Sequence, residues 1–226
     1  GLLSGEALSL PYYRSAQLAA WVRTTVATQG IEQAVAFSGP MAQYLDAPGL
    51  QRRIIDFCDV DSAKWTQYSA DRRWPLSWLY RREGERLLAF ERQAAARSDA
   101  SLFVTAAEAA LFTKAAPEAA ARTRVMQNGV DADFFSPAHA PVNPYPAGGP
   151  VLLFTGAMDY WPIFVLESSL ATEILPAIRV RRPDVRFWIV GMNPAPAVQA
   201  LAAEGVVVTG TVPDVRPYLA HADVIV

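Results

Sequence analysis

The feature that most limits how this chain can fold is a proline-rich segment near its middle. Residues 136–150 read SPAHAPVNPYPAGGP and contain five prolines and two glycines. Proline fixes φ and lacks a backbone N–H, so neither a helix nor a central strand can run through this composition. The segment therefore predicts a connector between two folded units, although an ordinary surface loop within one domain is an open alternative.

A turn motif, NGVDADFFSP, leads into this segment at residues 128–137. We expect Gly129 to take a positive φ in a tight Asn-Gly turn after a short strand. Asp131 is expected to bond to its own backbone and cap a short turn, and Phe134 and Phe135 to cover an apolar surface. The resulting domain prediction is a first unit at 1–137, a linker at 138–150 and a second unit at 151–226.

Short apolar runs alternate with stretches of helical periodicity along the whole chain. Strands are predicted at about 34–38, 53–58, 101–105, 124–127, 151–155, 186–190, 206–209 and 223–226. Helices are predicted at about 41–46, 62–70, 76–98, 106–115, 163–180, 196–203 and 214–221. In the helix at 163–180 an apolar residue recurs every four positions, at Leu166, Leu170, Ile174 and Ile178, and Pro176 predicts a kink.

Alternating strands and helices are typical of right-handed βαβ units around a parallel sheet. We therefore predict an α/β protein with two Rossmann-like, doubly wound parallel-sheet domains. Ligands of such sheets bind at the carboxyl ends of the strands, so a cleft between the two domains is the expected site.

Composition excludes several classes of function. The net charge is −2 and no basic stripe occurs, so nucleic acid is not an expected partner. The single cysteine, Cys58, excludes an internal disulfide and fits a reducing cytosol. No apolar run is long enough to span a bilayer. Residues 74–82, WPLSWLYRR, mix aromatic and arginine side chains as an interfacial anchor does, but a core helix with an exposed charged face is the favoured interpretation.

Both ends of the sequence predict a fragment of a longer protein. The chain begins with glycine rather than methionine, and its first predicted strand comes only near Ala34. The last predicted strand, 223–226, is apolar and needs neighbours to cover it. Both domains are therefore expected to be incomplete.

In the second unit a glycine stands at the end of three successive predicted strands, at Gly156, Gly191 and Gly210. Glycine lets a backbone approach a ligand closely, so we expect all three to mark the ligand edge of the sheet. Asp159, just beyond the first strand, is expected either to accept hydrogen bonds from sugar hydroxyls or to cap the turn. Pro162 suits the first position of a helix, whose free N–H groups suit a phosphate.

The loop after Gly210 is expected to offer the backbone groups of Thr211 and Val212 to a nucleotide base. The alternative is a simple loop in which Asp214 caps the following helix, and this role for Asp214 is favoured. The dinucleotide fingerprint G-x-G-x-x-G is absent, which removes the main support for nicotinamide chemistry.

In the first unit Asp59 and Asp61 form a D-x-D pattern at a strand end. Paired carboxylates can hold a divalent metal that bridges a diphosphate, but Asp61 is also placed to cap a helix, and the cap is favoured. Cys58 lies in an apolar strand without a local histidine, and His139 and His221 are expected to be structural or solvated. No catalytic residue is therefore assigned.

Together these motifs resemble one family. NGVDADFFSP is similar to the signature N-G-V-D-x-x-x-F-x-P of the retaining GT-B glycosyltransferases of family four. FTGAMDYWP, RFWIVGMNPAP and VVVTGTVPDVRPYLAHADV follow in the order of a bacterial branch of exopolysaccharide sugar transferases, some associated with the PEP-CTERM sorting system. MAQYL, DFCDVDSAKWTQYS and WLYRREGERLLAFER resemble the same branch, so the likeness covers nearly the whole chain.

The resemblance implies a nucleotide-sugar donor on the second unit and a saccharide or lipid-linked acceptor on the first, with retention at the anomeric carbon. The donor-binding residues would be Gly156, Asp159, Gly191 and the base loop Gly210, Thr211, Val212 and Pro213. The acceptor-side residues would be Ser38, Asp59 and Asp61. No metal or other cofactor is expected. The expected location is cytoplasmic, with peripheral contact at the inner face of the cell membrane, where lipid-linked acceptors lie.

The chain also departs from the family pattern. The glycine-rich amino-terminal loop and the carboxy-terminal glutamate motif are missing, so this fragment is expected to be inactive. Many relatives carry arginine and lysine where this chain has MDYW at 158–161, and Ile163 replaces an asparagine. Two alternatives therefore stay open: a non-catalytic nucleotide-binding or scaffold protein of the same fold, and a metal-dependent GT-A transferase built around Asp59 and Asp61.

Overall fold

A computed structural model of the chain describes residues 5–139, 141–158 and 169–226. The chain divides into two compact units, Gly1–Gly129 and Val130–Val226. Each unit has its own four-stranded sheet, and every strand pair in both sheets is parallel. The division precedes the proline-rich segment, which therefore belongs to the second unit.

The sheet of the first unit runs in chain order, and its strands lie close to the predicted positions. They are β1 Gln33–Phe37, β2 Arg52–Cys58, β3 Ala100–Phe103 and β4 Thr123–Val125. The α-helices are α1 Ser9–Tyr12, α2 Ala16–Gln29, α3 Asp61–Ala70, α4 Leu76–Ala96 and α5 Ala106–Ala115. Short 3₁₀ helices cover Gly39–Tyr44 and Pro117–Arg122.

Helix ends in this unit follow local capping chemistry. The Ser15 hydroxyl oxygen accepts a hydrogen bond from the Leu18 N–H at the start of α2, and Gly30 ends that helix in the left-handed conformation. The Thr105 hydroxyl oxygen accepts from the Glu108 N–H at the start of α5 in the same way. The signals that start and end these two helices are therefore present in the sequence.

The core of the first unit packs against one face of the sheet. The rings of Phe57, Phe103 and Phe112 lie 4.8–5.5 Å apart and join β2 and β3 to α5. Val35 and Phe37 of β1 are 64% and 70% exposed. Because successive strand residues point to opposite faces, these two lie on the side away from Ala36, which is buried.

The sheet of the second unit contains a reversal of strand order. Its strands are β5 Val151–Ala157, β6 Arg186–Met192, β7 Val206–Gly210 and β8 Val224–Ile225, in the spatial order β7-β6-β5-β8. From β5 the chain builds outward through β6 and β7, and then returns to place β8 on the other side of β5. Such a doubly wound sheet has a crevice at the carboxyl ends of the strands where the order reverses, which is the usual ligand position.

Among the described residues the helices of the second unit are short, and one of them corrects the apolar stripe predicted at 163–180. They are a 3₁₀ turn Pro137–His139, α6 Leu175–Arg179, α7 Pro196–Gln199 and α8 Arg216–His221. A π-helical stretch, Leu170–Ile174, leads into α6 just before Pro176. The wider π turn buries Leu175 rather than Ile174, which is 42% exposed. Leu166 lies outside the described residues.

The predicted connector is packed on this sheet rather than free. Tyr145 is buried, its ring lies 5.1 Å from that of Trp188, and its hydroxyl donates to the Tyr218 carbonyl at 2.8 Å. The Arg186 guanidinium donates to the carbonyls of Pro146 and Gly149. Side chains that come from the strands and from α8 therefore hold the segment in place.

The turn predicted at Asn128 and Gly129 is wrong. Gly129 does not take a positive φ, and residues 126–131 contain no turn. The predicted bond of Asp131 is confirmed, because its carboxylate accepts from the Phe134 N–H at 2.9 Å. Phe134 and Phe135 are 47% and 43% exposed, so neither is fully buried, and Phe135 lines a cavity together with Leu219 and Ile225.

Candidate functional site

The three strand-end glycines of the second unit meet at the carboxyl edge of its sheet. Gly156 of β5 lies directly opposite Gly191 of β6, and Val190 lies opposite Gly210 of β7. At this edge β5, β6 and β7 each present a glycine, so backbone atoms rather than side chains line it. It adjoins the point beside β5 where the strand order reverses.

Gly191 is required by the sheet itself. A Cβ atom at this position would overlap the carbonyl oxygen of Gly156. Real side chains do not tolerate such overlap with backbone, so glycine is needed here whether or not a ligand binds. Because sheet packing alone explains the glycine at position 191, its presence at a strand end is only weak evidence for a bound ligand.

Gly210 has a different environment. Its φ is +71°, and a Cβ atom built on it would have no atom within 4 Å. The register between β6 and β7 shifts next to it, so Thr209 is an extra residue in the ladder. The backbone of Gly210 therefore borders open space, and the following Thr211 and Pro213 are exposed while Val212 is half-buried.

Asp214 stabilises the loop rather than facing a ligand. Its carboxylate accepts from the Arg216 N–H at 2.9 Å and from the Arg216 guanidinium at 2.7–3.0 Å. The side-chain hydrogen bond to Arg216 lowers the pKa of Asp214 below its ordinary value. The prediction that Asp214 is the N-cap of α8 is wrong, because Val215 occupies that position and α8 has no side-chain cap.

Arg216 is a residue that the sequence motifs did not single out. Its guanidinium lies 3.9 Å above the centre of the Phe134 ring and donates to the Phe134 carbonyl. Beside it is a cavity of about 660 Å³, lined by Phe135, Ser136, His139, Pro141, Asp214, Leu219, Ala220 and Ile225. The only sequence signal for this arrangement is Asp-x-Arg, a spacing that is too common to be informative.

Asp159, Pro162 and Ile163 lie within residues 159–168, outside the described part of the chain.

In the first unit, the carboxyl ends of β1 and β2 carry backbone strain. Ser38 has φ 76° and Cys58 has φ 64°, a region that non-glycine residues rarely adopt. The Ser38 N–H donates to the Asp56 carbonyl at 2.8 Å, and the Asp59 N–H donates to the Phe57 carbonyl across Cys58. Strain of this kind costs about 1–3 kcal/mol per residue and is concentrated at functional sites. Ser38 and Asp59 therefore lie at neighbouring strand ends, as the acceptor-side prediction requires.

The prediction that Cys58 is not a nucleophile fits its surroundings. Burial, with a further contribution from Asp56, raises the pKa of the Cys58 thiol to about 11. The thiol is therefore protonated at neutral pH, and the thiolate is the form that reacts.

A lysine lies between the two aspartates of the D-x-D pattern. Lys64 Nζ is 2.8 Å from an Asp59 carboxylate oxygen and 3.3 Å from one of Asp61. Burial alone would lower the pKa of Lys64, but the two carboxylates outweigh it and raise that pKa. Among the residues that the structure describes, no group of three or more His, Cys, Asp or Glu side chains is arranged to hold a metal ion.

Asp61 is not the cap of α3. It is the first helical residue, and Val60 occupies the N-cap position without a side-chain cap. Carboxylates from other helices serve the start of α3 instead: Glu108 accepts from the Val60 N–H at 2.6 Å, and Glu91 accepts from the Ser62 N–H at 3.2 Å. Asp61 is left to pair with Lys64.

Both histidines bind backbone carbonyls. His139 Nε2 lies 2.7 Å from the Asp133 oxygen, and His221 Nε2 lies 2.6 Å from the Pro141 oxygen. The His139 contact lies within the connecting segment, and the His221 contact joins Pro141 of that segment to α8, so both rings have the structural roles that were predicted.

Comparison with known proteins adds evidence on the fold. Residues 149–226 match a family model described as glycosyl transferases group 1. No curated protein matches the chain. A solved sucrose-phosphate synthase from Thermosynechococcus elongatus has a TM-score of 0.67 and 17% identity, over 96% of this chain and 53% of its own.

Two further solved structures give the same result. A glycosyltransferase from Rickettsia africae has a TM-score of 0.59 and 13% identity, over 92% of this chain and 54% of its own. A UDP-forming α,α-trehalose-phosphate synthase from Burkholderia xenovorans, solved with glucose-6-phosphate, has a TM-score of 0.57 and 14% identity, over 91% of this chain and 55% of its own. These likenesses establish a fold of the GT-B type, with two parallel-sheet α/β units. The chain spans about half the length of the solved structures it matches.

Proposed function

We propose that this chain binds a nucleotide sugar through its second unit and serves in the transfer of that sugar to a saccharide or a lipid-linked acceptor. The observation that carries the proposal is the glycine-lined carboxyl edge at Gly156 and Gly210. This edge lies within residues 149–226, the part that matches the glycosyl transferases group 1 model. The UDP-forming trehalose-phosphate synthase, whose fold is similar, supports the choice of a nucleotide sugar as donor.

The donor site combines close backbone approach with the loop that follows Gly210. A Cβ atom built at Gly210 has no atom within 4 Å, so a ligand could approach the backbone there. Thr211, Val212 and Pro213 would lie beside the base, and Gly156, Gly191 and Asp159 beside the sugar diphosphate, as the resemblance implies. The diphosphate leaving group would be stabilised electrostatically by N–H groups at helix starts.

The acceptor would bind at the strained strand ends of the first unit. Ser38 and Asp59 offer a hydroxyl and a carboxylate there, and both are suited to hydrogen bonding with sugar hydroxyls. Retention at the anomeric carbon, a cytoplasmic location and a role in exopolysaccharide synthesis are the finer parts of the proposal, supported by the sequence resemblance.

The proposed transfer needs no divalent metal. Lys64 already supplies a positive charge between Asp59 and Asp61, at 2.8 and 3.3 Å. This pairing supports the metal-independent proposal over a metal-dependent transferase built on the D-x-D pattern.

Calorimetric titration of UDP-, GDP- and ADP-sugars into the chain tests donor binding. One donor class is expected to bind, and Gly210→Ala is expected to weaken that binding by about tenfold or more, equivalent to about 1.4 kcal/mol. Gly30→Ala is a matched control, because Gly30 also has a positive φ, +61°, and no atom within 4 Å of a built Cβ. If no nucleotide sugar releases heat, or if both variants weaken binding equally, the proposed donor site is wrong.

A further inference from the structure

A groove in the first unit is built on the elements that follow the proposed acceptor-side strand ends. It has a volume of about 340 Å³ and lies between α1, α3 and α4. Its lining residues are Leu8, Ser9, Tyr12, Tyr13, Trp65, Leu79, Tyr80 and Glu83. The longest of the three helices is α4, with 21 residues, and neither it nor any other helix in the described ranges is long and apolar enough to cross a membrane.

Two walls of the groove are tied to these strand ends. The 3₁₀ helix that follows Ser38 ends at Tyr44, whose hydroxyl donates to the Tyr13 carbonyl at 2.6 Å. This bond joins the α1 side of the groove to the end of β1. On the other side, Trp65 lies on α3, which begins two residues after Asp59 at the end of β2. The groove is therefore continuous with the edge of the sheet that carries Ser38 and Asp59.

Four of the eight lining residues are aromatic. Trp65 and Tyr80 are half-buried, and their ring centres lie 5.2 Å apart with the planes inclined by 60°. The rings of Tyr12 and Tyr13 lie 5.0 Å apart, and both are exposed. Aromatic rings of this kind stack on the C–H face of a pyranose and remove that apolar face from water. The phenol hydroxyls can also bond to sugar hydroxyls at the edge of the ring.

The charge of the groove does not suit a phosphate group. Glu83 is 2% exposed and accepts hydrogen bonds from the Ser9 N–H at 2.8 Å, from the Ser9 hydroxyl at 2.6 Å and from the Leu8 N–H. These two N–H groups at the start of α1 are thus bonded within the protein. Among the described residues that line the groove, none is Lys, Arg or His. Phosphates bind to such cations or to free N–H groups at helix starts, and the described lining offers neither.

We propose that this groove binds the sugar ring of an unphosphorylated saccharide acceptor, which stacks on Trp65, Tyr80 and Tyr12. Given the proposed transfer function, on which this assignment rests, the acceptor is a neutral saccharide whose pyranose ring presents an apolar face. A sugar phosphate such as glucose-6-phosphate is not expected to bind here, because its negative charge would lie near Glu83 without a cation to balance it.

Saturation-transfer NMR on the chain, without a nucleotide sugar, tests this assignment. The probes are cellotriose and the corresponding trisaccharides of galactose and mannose, with glucose-6-phosphate and cyclohexanol as comparisons. At least one trisaccharide should receive saturation from the protein, and glucose-6-phosphate should receive none. Trp65→Ala should weaken binding of that trisaccharide on the order of tenfold, and Tyr12→Ala by about threefold.

The variants differ in their risk to the fold. Tyr12 is 81% exposed, so its truncation leaves the packing intact, whereas Trp65 packs against a small buried cluster and its variant needs a circular dichroism melting curve. Trp78→Ala is the matched control, because Trp78 is an exposed tryptophan on α4 that does not line the groove. It should leave binding unchanged.

Four outcomes would overturn the assignment. They are no saturation of any trisaccharide, equal saturation of glucose-6-phosphate, stronger saturation of cyclohexanol, and equal loss of binding in the Tyr12→Ala and Trp78→Ala variants. Stronger saturation of cyclohexanol would assign the groove to an apolar ligand instead.

Titration of nucleotide sugars into the same variants separates this assignment from the proposed function. Trp65→Ala and Tyr12→Ala should leave donor binding unchanged, because the donor is proposed to bind the second unit. If a donor binds and no trisaccharide does, the groove assignment alone is wrong. If a trisaccharide binds in the groove and no donor binds, the groove is a saccharide site and the proposed transfer function is wrong.

Discussion

Ser62 and Glu91 join α3 to α4 through two hydrogen bonds in a fully buried position. The Ser62 hydroxyl donates to one carboxylate oxygen at 2.5 Å, and the Ser62 N–H donates to the other at 3.2 Å. Glu91 is 1% exposed. Its pKa is raised from 4.5 to about 7: burial is the main cause and the charge of Asp61 adds to it, while the bonds from Ser62 and the charge of Lys64 act in the opposite direction.

This pair makes stability depend on pH near neutrality. Because the pKa is higher in the folded chain than in the unfolded chain, the contribution of Glu91 is fully present below pH 4.5 and is lost as pH rises through about 7. The wild type should therefore lose on the order of 3 kcal/mol of unfolding free energy, relative to Glu91→Gln, across that window. Urea unfolding at a series of pH values measures the difference. Parallel stability curves for the two proteins would contradict the prediction.

Gly191→Ala should destabilise the chain more than Gly210→Ala. The added Cβ overlaps the Gly156 carbonyl at position 191 but meets open space at position 210. We expect a loss of about 2–3 kcal/mol from overpacking in the first case, and about 1 kcal/mol from backbone strain in the second. Chemical unfolding of both variants measures this difference. Equal losses would mean that the two glycines serve the same purpose.

The strands of both sheets could be predicted because the strands of a parallel sheet appear in the sequence as apolar runs. All eight predicted strands have an observed counterpart, and their ends differ by small amounts. Helix α2 was missed because its periodicity is weak and only Val26 is buried. The prediction of an Asn-Gly turn was wrong: the pair favours a turn locally, but residues 126–131, where the division of the chain into two units falls, contain none.

Contacts between distant parts of the chain could not be predicted. Glu83 and Glu91 occupy the apolar face of α4, where carboxylates are unexpected, and their partners Ser9 and Ser62 lie 74 and 29 residues away. Periodicity alone cannot pair such residues. For the same reason, the three strand-end glycines were found from sequence, but the structural need for Gly191 appeared only when Gly156 lay opposite it.

Chelation of divalent metal should leave nucleotide-sugar binding unchanged. The Lys64 ammonium contacts both Asp59 and Asp61, so it occupies the position between the two carboxylates that a bridging metal ion would need. Calorimetric titration of the donor with and without EDTA measures the effect. If affinity falls and is restored by Mg²⁺ or Mn²⁺, the metal-dependent alternative regains support.

Tyr145→Ala should release the proline-rich segment from the second sheet. The ring is 7% exposed, packs edge-on against Trp188 and donates its hydroxyl proton to the Tyr218 carbonyl. Truncation removes all three interactions at a cost of about 3–5 kcal/mol, whereas Tyr145→Phe removes only a hydrogen bond worth about 1 kcal/mol.

Limited proteolysis measures the release directly, because cleavage within 141–150 requires that segment to leave the sheet. Tyr145→Ala should be cut there much faster than the wild type, with Tyr145→Phe in between and closer to the wild type. The order matters because a segment held only by its proline content would be cut equally in all three proteins. In that case the Tyr145 contacts would not be what fixes the connector on the second unit.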